Sequence, residues 1–327
     1  MFGLLTFASF LAVGVIAPLL LGGDLYWIDI LVYMLIFIIL STSLRIVFST
    51  GQVSFAHPGI AAISGYCSGF LAMKFGLSFW LTMPLGAGAA ALVSLIIGYP
   101  TLRLKGVYFF LITFMFTSLI GVTIGNFWTS ALGGWRGLVN IPRPGPLAIP
   151  YLFTITFTTS EVAYYYLTLV FTVAAIFVCY RLEKSRYGMI FTAIENADGL
   201  AEMVGINLMR YKLFAFVIAG VFAGVAGTLF AHYQRIITPY DFDMHLGILL
   251  IIYIVVGGMN TVWGPILGTI ALRLLAHPLR QFGEYETMIL GIILIVFLRF
   301  IPSGIVGFSE RSSFFKDRSS SKKRMPE

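Results

Sequence analysis

Three stretches of the 327-residue chain carry side chains whose types and spacing could do chemistry. The first reads FTAIENADGLAEM at 191–203. Ile194, Ala197, Ala201 and Val204 recur every three or four positions, while Glu195, Asp198 and Glu202 occupy much of the other surface. The spacing predicts one short amphipathic helix. Gly205 follows as its C-terminal cap, Asn207 helps to close the turn, and Ile206 and Leu208 leave apolar side chains at the exit. A helix lying on lipid usually shows Lys or Arg on its polar face, and this one shows acids, which suits a protein partner better. The surface offered to that partner comprises Ile194, Glu195, Asn196, Ala201, Glu202, Gly205, Ile206 and Asn207. The other two stretches, Gly51–Gly59 and Gly257–Gly268, each border or interrupt an apolar run with Gly, Pro and small polar residues. Breaking a membrane helix frees backbone N–H and C=O groups, which are tolerated at depth where they line a wet cavity. Gln52, Ser54, His57, Gly257, Gly258, Asn260 and Thr261 are therefore candidates for the lining of a translocation path. The competing reading is packing alone, since small residues let helices approach and Ser and Thr cross-link them. His57 is expected to be a hydrogen-bonded structural residue rather than a proton carrier.

Missing features narrow the chemistry further. The sequence has no GxxxxGK[ST], no HExxH, no GxSxG and no clustered His, Cys, Asp and Glu. Its two cysteines, Cys67 and Cys179, sit in apolar runs without CxxC spacing. No catalytic residue, bound cofactor, metal site or disulfide is expected. All 14 acidic residues lie in loops, at the ends of apolar runs or in the tail, with Asp29 nearest to a run's interior. An ion-coupled carrier usually keeps ionisable groups near mid-membrane. The chain reads as a pathway without its own engine.

The elements that must position these segments are membrane helices. Hydrophobic residues make up 59% of the chain, charged residues 11%, and the mean hydropathy is +0.94. A soluble domain carries about 25% charged residues, so the bilayer is the natural solvent for this chain. Apolar runs fall at 3–21, 27–48, 54–73, 79–98, 105–125, 164–181, 213–232, 246–260, 262–278 and 287–301, which predicts about ten spans. The first run lacks the positively charged flank of a signal peptide and is kept as a span. The predicted fold is an all-α, polytopic membrane domain over 1–307 with inverted-repeat-like halves. A basic, disordered tail over 308–327 follows it.

An even number of spans puts both termini on one side. Arg103 and Lys105, then Arg181, Lys184, Arg186, Arg210 and Lys212, then six Lys and Arg of the tail all fall on one face of this arrangement. The basic face is expected to be cytoplasmic, with both termini and the 182–212 loop, and the Gly/Pro-rich loop 126–163 is expected outside. The net charge of +7 is explained by that bias, so no nucleic-acid partner is implied. Arg45, near the inner end of the second run, is expected to reach the headgroups, and Arg273 and Arg280 to do the same outside or meet a partner. Tyr164, Tyr165 and Tyr166 are expected in the interfacial aromatic belt.

The loop AIENADGLAEMVGINLMRYK resembles the cytoplasmic coupling loop of the LivM-type permeases of branched-chain amino acid ABC importers. Four further stretches agree in order: GQVSFAHPGIAAISGY at 51–66, TLRLKGVYFFLITF at 101–114, GGWRGLVNIPRP at 133–144 and VVGGMNTVWGPILGT at 255–269. The resemblance covers about residues 30–308 and departs mildly at Pro58 and Asn260. It implies an inner-membrane subunit without an ATPase site of its own. It also implies four partners: a homologous second permease, two cytoplasmic ATP-binding subunits that use the ATP, and an external substrate-binding protein. The implied solutes are leucine, isoleucine and valine, with urea or short amides as the alternative. A stand-alone secondary transporter or channel is the rival from another class.

Overall fold

The computed structural model describes residues 2–20, 24–149, 153–155, 157, 160–279, 288–289, 291–292, 299 and 304–306. Nine of the ten predicted runs become helices: α1 (Phe2–Leu20), α2 (Leu25–Phe48), α3 (Ala56–Phe75), α4 (Phe79–Thr101), α5 (Val107–Asn126), α7 (Glu161–Glu183), α10 (Leu208–Gln234), α11 (Met244–Gly257) and α12 (Trp263–Leu279). The tenth run, Arg280 and the tail lie largely or wholly outside the described residues. Short helices α6 (Thr129–Leu132), α8 (Arg186–Asn196) and α9 (Asp198–Met203) sit in the two long connections. The described strands form two antiparallel pairs: β1 (Leu138–Val139) with β4 (Ile236–Ile237), and β2 (Leu147–Ile149) with β3 (Phe153–Ile155).

Six helical stretches among the described residues are long and apolar enough to cross a membrane, so the chain is a multi-pass membrane protein. They contain α2, α4, α5, α7, α10 and, with the 3-10 turn before it, α11. The twenty-residue α3 is not among them. Its His, Ser, Gly and Tyr side chains lower its hydropathy, and they face neighbouring helices rather than lipid.

The packing that holds α3 is a seam of small residues. A methyl group added at Gly227 of α10 would strike the Ala61 backbone, and one at Gly220 would strike Ser94 of α4. Close approach lets Ser64 donate to the Gly224 carbonyl at 2.7 Å and meet Thr228 at 2.8 Å, while Ser68 meets His232 Nε2 at 2.8 Å. This is how helices associate where lipid tails are as apolar as the side chains. The most enclosed helix is α2, against which α7, α10 and α12 pack.

Consecutive long helices alternate in direction. One end gathers two groups of contacts, Arg45 and Val262 with Glu183, and Lys105 and Lys212 with Asp198. This is the basic end. The opposite end joins Trp27 to His277, Tyr66 to the Ile237 carbonyl, and Arg143 to Glu161 at 2.6 Å.

Two expectations about single residues are overturned. Tyr164 and Tyr165 do not form a lipid-facing belt; both are buried, and their hydroxyls donate to the carbonyls of Leu229 and Gly14. Tyr166 likewise reaches the Val15 carbonyl. A phenol can serve either purpose, and here α1 and α10 lie close enough to use it. Arg45 does not reach headgroups: its side chain is 7% exposed and paired with Glu183. Arg273 is half-buried, its guanidinium over the Phe37 ring at 3.9 Å from the centroid.

Candidate functional site

The site lies at the basic end, around the connection from α7 to α10. Ser185 caps α8 by accepting the Tyr187 N–H, and Gly188 is required because a methyl there would overlap the Glu183 carbonyl. Phe191 and Ile194 turn inward from α8, and Ala201 does so from α9. Gly205 closes the unit at φ +86°, with its N–H on the Glu202 carbonyl and the Ile206 N–H on the Ala201 carbonyl. That is the glycine-ended helix terminus the sequence predicts. Asn207 serves the next element: its side chain accepts the Arg210 N–H and caps α10.

The single predicted helix is in fact two. Ala197 adopts φ −159° and ψ 87°, so α8 stops at Asn196 and α9 starts at Asp198. Asp198, the first residue after the break, is held by two lysines. Both Asp198 carboxylate oxygens accept from Lys212 Nζ, at 3.2 and 3.0 Å, and Lys105 Nζ lies 3.3 Å away. Burial pushes this carboxyl up, but Lys212 and Lys105 pull it further the other way, so it stays below the usual carboxylate range. The tether also sets an acid in the first turn of α9, where the helix dipole favours it. The break redistributes the predicted apolar face. Ile194 and Ala201 stay inside, while Val204 is 82% exposed, next to Met203 at 84% and Leu200 at 65%. Glu195, Asn196 and Glu202 are exposed as well.

Arg45 and Glu183 join the site's remaining parts. Arg45 Nη1 lies 2.8 Å from Glu183 Oε2, Nε donates to the Met259 carbonyl at 2.9 Å, and Nη2 donates to the Asn260 carbonyl at 2.7 Å. Glu183 Oε2 also accepts the Val262 N–H at 3.0 Å. Around this pair opens a cavity of about 550 Å³ lined in part by Cys179, Thr192, Glu195, Asn196 and Asn260. Desolvation raises the Glu195 carboxyl, against a smaller downward pull from Arg45.

The two glycine segments differ in character. Residues 52–55 are unwound, and the Phe55 N–H and C=O are taken by Thr113 and Thr117 of α5 at 3.1 and 2.6 Å. At about 1.5 Å per residue those threonines lie roughly 9 and 15 Å into α5, so the break is deep. Gln52, Ser54 and His57 are buried there. Contrary to expectation, neither His57 ring nitrogen has a hydrogen-bond partner, and Gln52 Oε1 has none. The other segment is a tight turn at the basic end. Gly258 has φ +116°, and methyl groups at Gly257, Gly264 or Gly268 would overlap backbone of the facing helix. Asn260 is exposed there, and the Thr261 hydroxyl is buried without a partner. The seven path candidates therefore form a deep group and a surface group, bridged by Arg45, which precedes the first and bonds to the second.

Sequence reasoning missed Arg45, Glu183, Lys105 and Lys212 as members of the site. The available signal was opposite charges at run ends assigned to the same side.

Residues 26–298 match the sequence model of a family described as branched-chain amino acid transport system / permease component. The chain belongs to this family. Within it, the chain is 28% identical over 296 residues to the high-affinity branched-chain amino acid transport system permease protein LivM of Escherichia coli (strain K12), covering 85% of this chain and 69% of that protein. The chain is also 27% identical over 258 residues to the autoinducer 2 import system permease protein LsrC of Yersinia pestis, covering 74% of this chain and 68% of that protein. It is 32% identical over 139 residues to the probable branched-chain amino acid transport permease protein LivH of Methanocaldococcus jannaschii, covering 38% and 42%. No solved structure matches the chain significantly. The permease family assignment agrees with the predicted multi-pass fold and with the resemblance carried by the five sequence stretches.

Proposed function

We propose that this chain is the transmembrane permease subunit of an ATP-driven importer that carries branched-chain amino acids across the bacterial inner membrane. In this reading it binds no cofactor; two cytoplasmic ATP-binding subunits use ATP, a second homologous permease completes the pathway, and an external binding protein delivers the solute. Both termini and the α8–α9 unit are cytoplasmic.

The observation that supports this reading is the α9 tip. Leu200, Met203 and Val204 stand exposed on a short helix anchored underneath by Asp198 to Lys212. Neighbouring exposed apolar side chains on a fixed base mark a protein-docking surface. Glu202 and the Gly205 turn set its edge and exit. An ATPase moving against this tip pushes on the α7–α10 connection, and the bundle alternates between inward- and outward-open forms. Solute choice rests mainly on the binding protein. The LivM relative supports leucine, isoleucine and valine; the LsrC relative is a permease of the same family whose import system serves autoinducer 2.

The test is affinity purification of the tagged chain in mild detergent, followed by uptake into liposomes holding the purified assembly. P-loop ATPases and a second permease should accompany the wild type, and leucine, with the co-encoded binding protein, should enter only with ATP. Glu202→Lys and Gly205→Pro should insert normally and lose about tenfold or more of the ATPase, since a charge reversal or a proline at φ +86° disrupts the edge of the tip. Full ATPase recovery with both variants would overturn the docking assignment. Uptake by the chain alone would favour a secondary transporter or channel, and uptake of urea in place of leucine would reassign the solute.

A further inference from the structure

Four structural elements meet at the Arg45–Glu183 pair. Arg45 is in the last turn of α2, just before the unwound segment that leads into α3. Glu183 is the last residue of α7, two residues before the Ser185 cap of α8. The turn between α11 and α12 gives them three backbone groups: the Met259 and Asn260 carbonyls to Arg45, and the Val262 N–H to Glu183. The guanidinium fork thus holds the turn as well as the carboxylate. A second contact runs in parallel: a methyl at Gly51 would lie 3.4 Å from Glu195 Cα, so the loop after α2 rests on α8.

The parts joined here differ in stiffness. The α11–α12 hairpin is locked by glycine contacts too tight for any other residue, and Gly304 presses on Gly258 from behind. Residues 52–55, by contrast, have no helical ladder of their own.

We propose that Arg45 and Glu183 are positioning residues of the transport cycle, transmitting the movement of α8 and α9 to the α11–α12 hairpin and to the deep break before α3. This rests on the docking role given above for the α9 tip.

The experiment uses the complete importer in liposomes and reads solute uptake per ATP hydrolysed. Glu183→Gln keeps an acceptor for the Val262 N–H but drops the charge. Arg45→Lys keeps the charge but lacks the fork that reaches two carbonyls and a carboxylate. Arg45→Met combined with Glu183→Met replaces the buried pair by apolar volume, a change that often preserves folding. The expected result is normal ATPase co-purification, ATP hydrolysis near the wild-type rate, and uptake per ATP lower by about tenfold, a typical coupling between distant sites. Unchanged uptake per ATP in all three would overturn the inference.

A distance measurement that leaves Arg45 and Glu183 in place guards against variants that fail to assemble. Spin labels at Thr192→Cys and Met259→Cys, in a Cys67→Ala, Cys179→Ala background, should keep one separation with and without nucleotide. A change of about 5 Å, one helical turn, would mean that α8 and the hairpin move independently and would overturn the inference. Failure of the wild-type chain to recover an ATPase would instead remove the docking reading itself.

Discussion

Asp198 and Glu195 are carboxylates only three residues apart: one is paired with Lys212 and Lys105, and the other lines a cavity. Asp198→Asn leaves Lys212, whose side chain is 5% exposed, without its counter-charge. Because Asp198 itself is a quarter exposed, the expected loss is about 1–3 kcal/mol rather than the larger figure for a fully buried pair, and thermal unfolding in detergent measures it. Glu195 has the opposite sign. Its carboxyl is raised in the fold, so its stabilising contribution is complete at acidic pH and fades as pH climbs through the raised value. The melting temperature of the wild type relative to Glu195→Gln should therefore fall between about pH 4 and pH 7, where carboxylates titrate. A flat difference would mean that Glu195 is solvated normally. At this scale the sequence is readable where the backbone dictates the residue, as at Gly205 with its positive φ. It is opaque at Arg45, because a cation near a span's inner end looks the same whether it reaches lipid headgroups or a buried carboxylate. Glu183 decides between the two, and nothing local to Arg45 reveals it.

Elements were legible where apolar length alone defines them. The nine described long helices fall on nine predicted runs because length and hydrophobicity are enough to specify a span. The break at Ala197 was not legible, because alanine favours helices and the spacing on either side keeps one period. Asp198, the first residue after it, pairs with Lys212 and Lys105, partners that local spacing does not reveal. For the glycine segments, the packing reading holds at 257–268, where backbone meets backbone, and the broken-helix reading describes 52–55. Gly257→Ala is expected to cost about 3 kcal/mol or more, since rigid main chain rather than a side-chain tip obstructs the methyl. Gly88→Ala, with open space around it, should change stability by less than about 0.5 kcal/mol. Equal melting temperatures for the two variants would show that the hairpin opens readily.

At the scale of the whole molecule, span parity and the Lys/Arg count constrain each other and give an expected orientation in the membrane. The same argument predicts that a reporter fused after residue 145 is active outside the cell membrane and one fused near residue 197 is active inside. The reverse pattern would invert the proposed orientation and remove the α9 tip from the reach of a cytoplasmic ATPase. What parity and charge do not reveal is how far α3 differs from its neighbours. Its low hydropathy is affordable in the finished bundle because Thr228 and His232 of α10 meet Ser64 and Ser68. Those partners lie well downstream, so a ribosome that has just finished α3 has not yet made them. Of the next helix, Thr82 of α4 meets Ser68 at 3.0 Å, so α4 can cover only part of α3's polar surface before α10 is made. Biogenesis is therefore expected to depend on chain length: α3 should insert less completely in chains truncated before α10 than in chains that include it, which glycosylation mapping of truncated chains measures.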